Sequence, residues 1–314
     1  MDYETEYVAT LISHPDNYAV THAICREVVQ FLPYGRISTR LDPGFAIDIT
    51  FRIEDFDEKL GPNVQRLYMD MMRDECLENI GNHLVDVIIS EDNEHRRKSL
   101  LIADMDSTMI GQECIDELAD FAGVKAHVAA ITERAMRGEI AFEPALRERV
   151  ALLRGLPVSI IEEVIASRIT LTPGAQTLLA TMKAHGATTA LVSGGFTLFT
   201  RQIAAMLGFD SHQANELLVQ DGFLTGEVAE PILGREAKRA ALASLIAQHK
   251  LHPAATLAVG DGANDLDMLG AAGLGIAYHA KPAVAAAAHG SIRHSDLTAL
   301  LFAQGYRRDE FVTG

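Results

Sequence analysis

The sequence predicts an α/β protein, a doubly wound parallel sheet with a small helical cap, preceded by an α+β module. Three observations carry this. Four short apolar runs, at 100–103, 188–192, 256–259 and 274–277, recur between helical stretches. That is the pattern of parallel strands covered by helices on both faces. Between about 116 and 168 the chain is helical and rich in Arg and Glu, with no clear strand, as in an insertion over the sheet. Before residue 94 the texture differs, and strand and helix periods follow one another as βαββαβ.

The elements of that first module can be placed in order. Residues 7–12 form a short apolar strand. Residues 19–31 have helical spacing through Ile24, Val28, Val29 and Phe31. Asp42-Pro43-Gly44 marks a turn between strands at 36–41 and 45–53, where Ile47, Ile49 and Phe51 alternate with polar neighbours. A helix over 63–84 and a strand over 85–90 complete a ferredoxin-like order. The charged stretch 91–98 reads as a solvated linker, which divides the chain into domains at 1–94 and 95–314, with the cap at about 116–168. Asp221-Gly222, between 216–219 and 223–228, is a hairpin signal.

Bulk properties narrow the function. A chain of 314 residues with 48% hydrophobic and 22% charged residues has room for about two globular domains. A net charge of -16 lacks the basic footprint of a nucleic-acid binder. It would also repel a phosphate ester, so a phosphate site needs cations of its own. Cys25, Cys76 and Cys114 are odd in number and form no CxxC, which fits reduced thiols in a cytoplasmic protein. The acidic N-terminus does not read as a signal peptide, and no apolar run reaches membrane-spanning length.

Three clusters then follow apolar runs, where open α/β sheets bind ligands, and Lys238 in a helical stretch makes a fourth feature. In Asp104-Met105-Asp106-Ser107-Thr108, two carboxylates two residues apart point the same way on extended chain. They offer hard oxygens for Mg²⁺, or a nucleophile and an acid/base for phosphoryl transfer; a pair of helix caps is the plainer alternative. Ser193-Gly194-Gly195-Phe196 offers a hydroxyl and backbone N–H groups to a phosphate. Lys238 could neutralise transferring charge. In Gly260-Asp261-Gly262-Ala263-Asn264-Asp265, glycines suggest a sharp turn presenting Asp261 as metal ligand, with Asp265 orienting its neighbours.

Together these clusters resemble the four signature motifs of the haloacid dehalogenase-like superfamily. With Glu113 and Thr132-Glu133-Arg134-Ala135-Met136-Arg137-Gly138 added, the stretch from about 99 to 300 is similar to the phosphoserine phosphatase family. The element order of residues 1–94 is similar to ACT-type regulatory modules.

The resemblance implies hydrolysis of O-phospho-L-serine through an aspartyl-phosphate, the last step of serine biosynthesis. It implies Asp104 as nucleophile and metal ligand, Asp106 as acid/base touching the metal through its carbonyl, and Asp261 as a further ligand of Mg²⁺ or Mn²⁺. Ser193, Gly194 and Lys238 hold the phosphate in this scheme, and Asn264 contacts it or the attacking water. Glu113 and Arg149 face the ammonium and carboxylate of the substrate, with Arg147 a rival on spacing alone. Arg suits a carboxylate because its planar fork can bond both oxygens. Met136 and Phe142 wall the short carbon chain. Cys114 reads as a small buried residue. The N-terminal module is expected either to bind an amino-acid effector or to mediate a homodimer. Two other readings stand beside this one: a phosphatase or phosphotransferase for another small phosphomonoester, and a non-catalytic ligand sensor.

Overall fold

The computed structural model describes residues 5–53, 61–136 and 139–313, the side chains of 61–63 and 136 excepted. Its first unit runs β1 (Glu6–Ser13), α1 (His22–Phe31), β2 (Arg36–Asp42), β3 (Ala46–Arg52), α2 (Gly61–Ile80) and β4 (Val85–Glu91). The sheet is antiparallel in the order β2-β3-β1-β4. The α1 helix starts at residue 22, because Thr21 caps it by accepting from Ile24 N. The α2 helix stops at Ile80, short of the expected 84, where Gly81 turns left-handed at φ 64°.

The second unit opens with β5 (Leu100–Ala103), then α3 (Cys114–Phe121), α4 (Lys125–Met136), α5 (Phe142–Ala151) and α6 (Ser159–Ser167) as a helical cap. It continues with α7 (Ala175–Ala184), β6 (Thr188–Phe196), α8 (Thr197–Leu207), β7 (Ser211–Asn215), and the hairpin β8 (Leu217–Gln220) and β9 (Phe223–Val228). Then come α9 (Arg235–His249), β10 (Thr256–Gly260), α10 (Leu266–Ala271), β11 (Leu274–Tyr278), α11 (Pro282–Ala287), β12 (Gly290–Ile292) and α12 (Ala299–Ala303). The six-stranded sheet has the order β12-β11-β10-β5-β6-β7, and every pairing is parallel. Two strands, β7 and β12, have no counterpart in the sequence reading. One is mostly polar and the other has three residues, so neither carries an apolar run.

Alternation along the strands sends side chains to two cores. Leu101, Ala103, Leu191 and Val259 pack under α7 and α8, while Leu100, Ile102, Val192 and Ala258 pack against α9, α10 and α11. Each fully buried Leu or Ile contributes about 2 kcal/mol. Central strand β5 lies between β10 and β6, so the chain departs to opposite sides of it. Its carboxyl end is a topological switch point.

The two sheets are not joined by a loose tether. Ile12, Phe45, Ala46 and Ile88 share one apolar cluster with Leu301 and Phe302. Buried Asp86 accepts from the backbone N–H groups of Arg293, His294 and Ser295. In the stretch read as a solvated linker, Arg96 Nη2 lies 2.8 Å from buried Asp48 Oδ1, and buried Lys98 donates to Ala254 O at 2.8 Å. A run of charge looks solvated in sequence; here one of its cations has found a buried carboxylate and another is itself buried. Among the described residues no helix is long and apolar enough to cross a membrane.

Candidate active site

Asp104 immediately follows β5, and its N–H donates to Val259 O at 3.0 Å. It is 5% exposed. The intervening Met105 is fully buried in the core, which leaves Asp104 and Asp106 on the cleft side. Asp106 has φ -64° and ψ 137°, and Ser107 turns left-handed at φ 53°, reversing the chain toward the cap. Asp106 Oδ1 accepts from Cys114 N at 3.0 Å and Oδ2 from Ser193 Oγ at 3.4 Å. Cys114 itself is buried, as expected.

Ser193-Gly194-Gly195 lies in the last residues of β6, at its carboxyl end. None of these glycines has positive φ, so their requirement is space. A Cβ on Gly195 would lie 2.7 Å from Asp106 Oδ2. The chain does turn after Gly260, as expected, yet neither Gly260 nor Gly262 has positive φ, so these two glycines are also needed for space. A Cβ on Gly260 would meet Asp265 Cγ at 2.4 Å, and one on Gly262 would meet Asn264 Oδ1 at 2.2 Å. These glycines let neighbouring polar side chains approach the backbone.

Lys238, 2% exposed, places Nζ 2.7 Å from Asp104 Oδ2 and 2.6 Å from Asp265 Oδ1. Burial alone would weaken its hold on the proton. The charges of Asp104 and Asp265 more than offset that and hold it protonated. Asp265 Oδ2 in turn accepts from Gly262 N at 3.0 Å. Asp261 Oδ1 accepts from Thr108 Oγ1 at 3.2 Å, and burial together with Asp265 pushes its carboxyl up to about 6. Burial also raises Asp106.

Among the described residues, Asp104, Asp261 and Asp265 each bring a carboxylate oxygen within 4.8 Å of the others. Three hard oxygen donors stand against one Lys, and Asp261 gives up its proton reluctantly. A divalent cation fits such a donor set, since it would supply the positive charge these groups lack. Asp106 turns its carboxylate away from the cluster, to Cys114 N and Ser193 Oγ.

The cap forms the other wall. Glu113 precedes α3 and accepts from Ser107 Oγ at 2.6 Å. Burial, and then the charge of Asp106, push its carboxyl up to about 7. The residue as a whole remains exposed, and water at the cleft mouth moderates that shift. Arg149, half-buried, donates to Ala145 O at 3.2 Å and Thr132 Oγ1 at 3.4 Å, and feels the charges of Asp116 and Glu113. Arg147 points elsewhere, to an exposed ion pair with Glu230. The Phe142 ring reaches over the phosphate-loop candidates: Cβ atoms on Gly194 and Gly234 would each lie 3.6 Å from it. Asn264 Nδ2 would lie 3.9 Å from a Cβ on Gly194. Met136 ends α4, and its side chain, like residues Arg137 and Gly138, lies outside the described residues.

Three polar residues escaped the sequence reading. Ser107 holds Glu113 and Thr108 holds Asp261; both lay within a recognised motif but were given no role. Asn215 ends a strand that carries no apolar signal, so nothing in the sequence drew attention to it.

Acidic side chains at the switch point of a parallel sheet, one buried Lys and a helical cap above them define a doubly wound α/β protein with a site suited to phosphoryl chemistry. The haloacid dehalogenase-like hydrolase profile matches residues 101–270. The phosphoserine phosphatase SerB2 of Mycobacterium tuberculosis is 46% identical over 215 residues, 68% of this chain and 52% of that protein. The chain therefore spans about half the length of that relative. A phosphoserine phosphatase of Haemophilus influenzae is 39% identical over 271 residues, 82% of this chain and 86% of that one. A solved phospho-aspartyl intermediate analogue of phosphoserine phosphatase superposes with a TM-score of 0.61 at 42% identity, over 66% of this chain and 98% of its own. This chain belongs to the haloacid dehalogenase-like hydrolase family.

Proposed function

We propose that the protein hydrolyses O-phospho-L-serine to L-serine and phosphate through an aspartyl-phosphate on Asp104, the final step of serine biosynthesis. The observation that carries this is the placement of Asp104, Asp106, Ser193 and Lys238 around one cleft, with Glu113 and Arg149 on its cap side. The names of the relatives support the substrate.

In the first half-reaction an Asp104 oxygen attacks phosphorus and the bond from phosphorus to the serine oxygen breaks. Asp106, its pKa raised by burial, delivers a proton to that oxygen. In the second, water attacks the aspartyl-phosphate while Asp106 takes its proton, which releases phosphate and restores the Asp104 carboxylate. Lys238, Ser193 and the N–H groups near Gly194 hold the phosphoryl oxygens in line. Asn264 borders the same face. Glu113 takes the substrate ammonium and Arg149 its carboxylate, while Met136 and Phe142 shield the carbon chain. Asp104, Asp261 and the Asp106 carbonyl would hold Mg²⁺, or Mn²⁺ in its place, with Asp265 steadying them. Bound there, the metal offsets the repulsion between phosphate and carboxylate.

The same reading assigns residues 1–94 and 95–314 to two domains in a cytoplasmic enzyme. The first is given amino-acid binding or dimerisation. Because its sheet shares a core with Phe302, that role is tested on the full chain, by serine titration and sedimentation.

The test of the activity is phosphate release from phosphoserine with Mg²⁺, against phosphothreonine, phosphohomoserine and an aryl phosphate. Preference for phosphoserine, abolished by EDTA and by Asp104→Asn, is expected. Turnover of the aryl ester alone would remove the roles of Glu113 and Arg149 and leave the Asp104 chemistry.

A further inference from the structure

Asn215 ends β7 and is 1% exposed. Its side-chain amide joins two segments that are far apart in sequence. Nδ2 donates to Gly194 O at 2.9 Å and to Leu233 O at 3.3 Å, and Oδ1 accepts from Leu233 N at 2.7 Å. The partners fix which end is which, since a carbonyl needs a donor and an N–H needs an acceptor.

Each segment leads to a group that faces the phosphate under the reading above. Gly194 O and Gly195 N–H belong to one trans peptide, so they point in opposite directions. Pulling the carbonyl toward Asn215 aims the N–H the other way. There it donates to Ser193 Oγ at 2.8 Å, and Ser193 Oγ donates to Asp106 Oδ2 at 3.4 Å. On the other side, Leu233 precedes Gly234, the residue at the start of α9. Lys238 stands one turn into that helix. A single buried amide therefore ties the Ser193-Gly194-Gly195 segment to the entry of the helix that carries the buried Lys.

We propose that Asn215 is a positioning residue for phosphate. It sets the spacing between the 193–195 segment and α9, so that Ser193, the Gly194–Gly195 peptide and Lys238 converge on one phosphoryl group. It bonds neither Glu113 nor Arg149, so the two charged contacts given to the serine end of the substrate do not run through it. The proposal rests on the phosphatase reading of this site.

The test uses full-length Asn215→Asp and Asn215→Ser, each checked for folding by thermal melting. Asn215→Asp keeps the size and the acceptor for Leu233 N, but sets an ionised oxygen against Gly194 O. Inorganic phosphate and L-serine are titrated separately by calorimetry with Mg²⁺ present, and kcat and KM are measured. Phosphate binding is expected to weaken about tenfold and kcat to fall about ten- to a hundredfold, with serine binding unchanged. The Asn215→Asp deficit should shrink, relative to wild type at the same pH, as pH falls, because a protonated carboxyl can again donate to Gly194 O. Equal weakening of phosphate and serine, or a loss of thermal stability with both affinities intact, would overturn the proposal. Should wild type bind phosphate without turning over phosphoserine, the substrate reading fails. The comparison then stands on phosphate binding and aryl phosphate hydrolysis.

Discussion

Lys238 Nζ lies 2.7 Å from Asp104 Oδ2, and both side chains are withdrawn from solvent at the switch point of the sheet. The Lys comes from the entry of α9 and the Asp from the exit of β5. Neither charge is tolerable there alone. With Asp265 as second partner of the Lys, the pair forms a prebuilt electrostatic frame, and Asp104, the nucleophile of the proposed reaction, is held inside it.

Removing the cation should therefore damage stability and chemistry together. Lys238→Met leaves Asp104 and Asp265 buried without a counter-charge, for a loss of about 3–5 kcal/mol in urea unfolding and a fall in kcat of about a hundredfold or more. Adding Asp265→Asn should restore part of the stability and none of the activity. Recovery of both in the double variant would contradict the role given to Lys238.

Gly195 offers a steric counterpart. Its backbone needs no positive φ, yet a Cβ would lie 2.7 Å from Asp106 Oδ2 and 3.0 Å from Ser193 Oγ. Gly195→Ala should lower kcat by about a hundredfold by displacing the Asp106 carboxylate. Gly270→Ala is the control: nothing lies within 4 Å of its Cβ position. In α10 that change should leave activity intact and raise stability by a few tenths of a kcal/mol up to about 1. Equal activity in the two variants, measured at saturating substrate, would refute this account of Gly195.

These residues also mark how far the sequence was readable. The central strands announce themselves because burial on both faces demands unbroken apolar runs, and the acidic and Gly-rich clusters follow directly from them. Edge strand β7 meets solvent along residues 211–213 and β12 has only three residues, so neither shows such a run, and Asn215 was invisible although it touches the Gly194 carbonyl. The glycines were found, but their need for space was not legible, since sequence cannot separate a need for φ from a need for space. Spacing alone left Arg147 and Arg149 equivalent. Only the fold turns one to Glu230 and the other toward Glu113 and Asp116.

Glu113 and Arg149 make a pH-dependent prediction. Burial and the charge of Asp106 push the Glu113 carboxyl up toward about 7, and water at the cleft mouth moderates that rise. Only the ionised form attracts the substrate ammonium. Affinity for phosphoserine should thus be nearly full by about pH 8 and decline as pH falls through the raised Glu113 pKa. Glu113→Gln should raise KM at pH 8 and remove that part of the decline, which separates it from titration of the substrate itself. Arg149→Ala should raise KM at least about tenfold, and Arg147→Ala should leave it within twofold. A steady-state series from pH 5.5 to 8.5 decides each of these.

His289, far from the cleft in sequence and role, should govern acid stability. Its Nδ1 accepts from Gly275 N at 2.9 Å, a bond that requires an unprotonated nitrogen. Burial, reinforced by the charges of Arg66 and Lys98, holds its pKa down to about 4, against 6.5 for a free side chain. Between those values the unfolded chain binds a proton that the folded chain refuses. Stability from this group is therefore complete above pH 6.5 and is lost as pH falls toward 4, by at most about 3 kcal/mol. His289→Asn offers Gly275 N an oxygen with no proton to gain, so its urea midpoint should fall less than that of wild type between pH 7 and pH 4.5. Parallel pH profiles for the two proteins would mean that the imidazole is charged in the folded state and that its bond to Gly275 N does not hold.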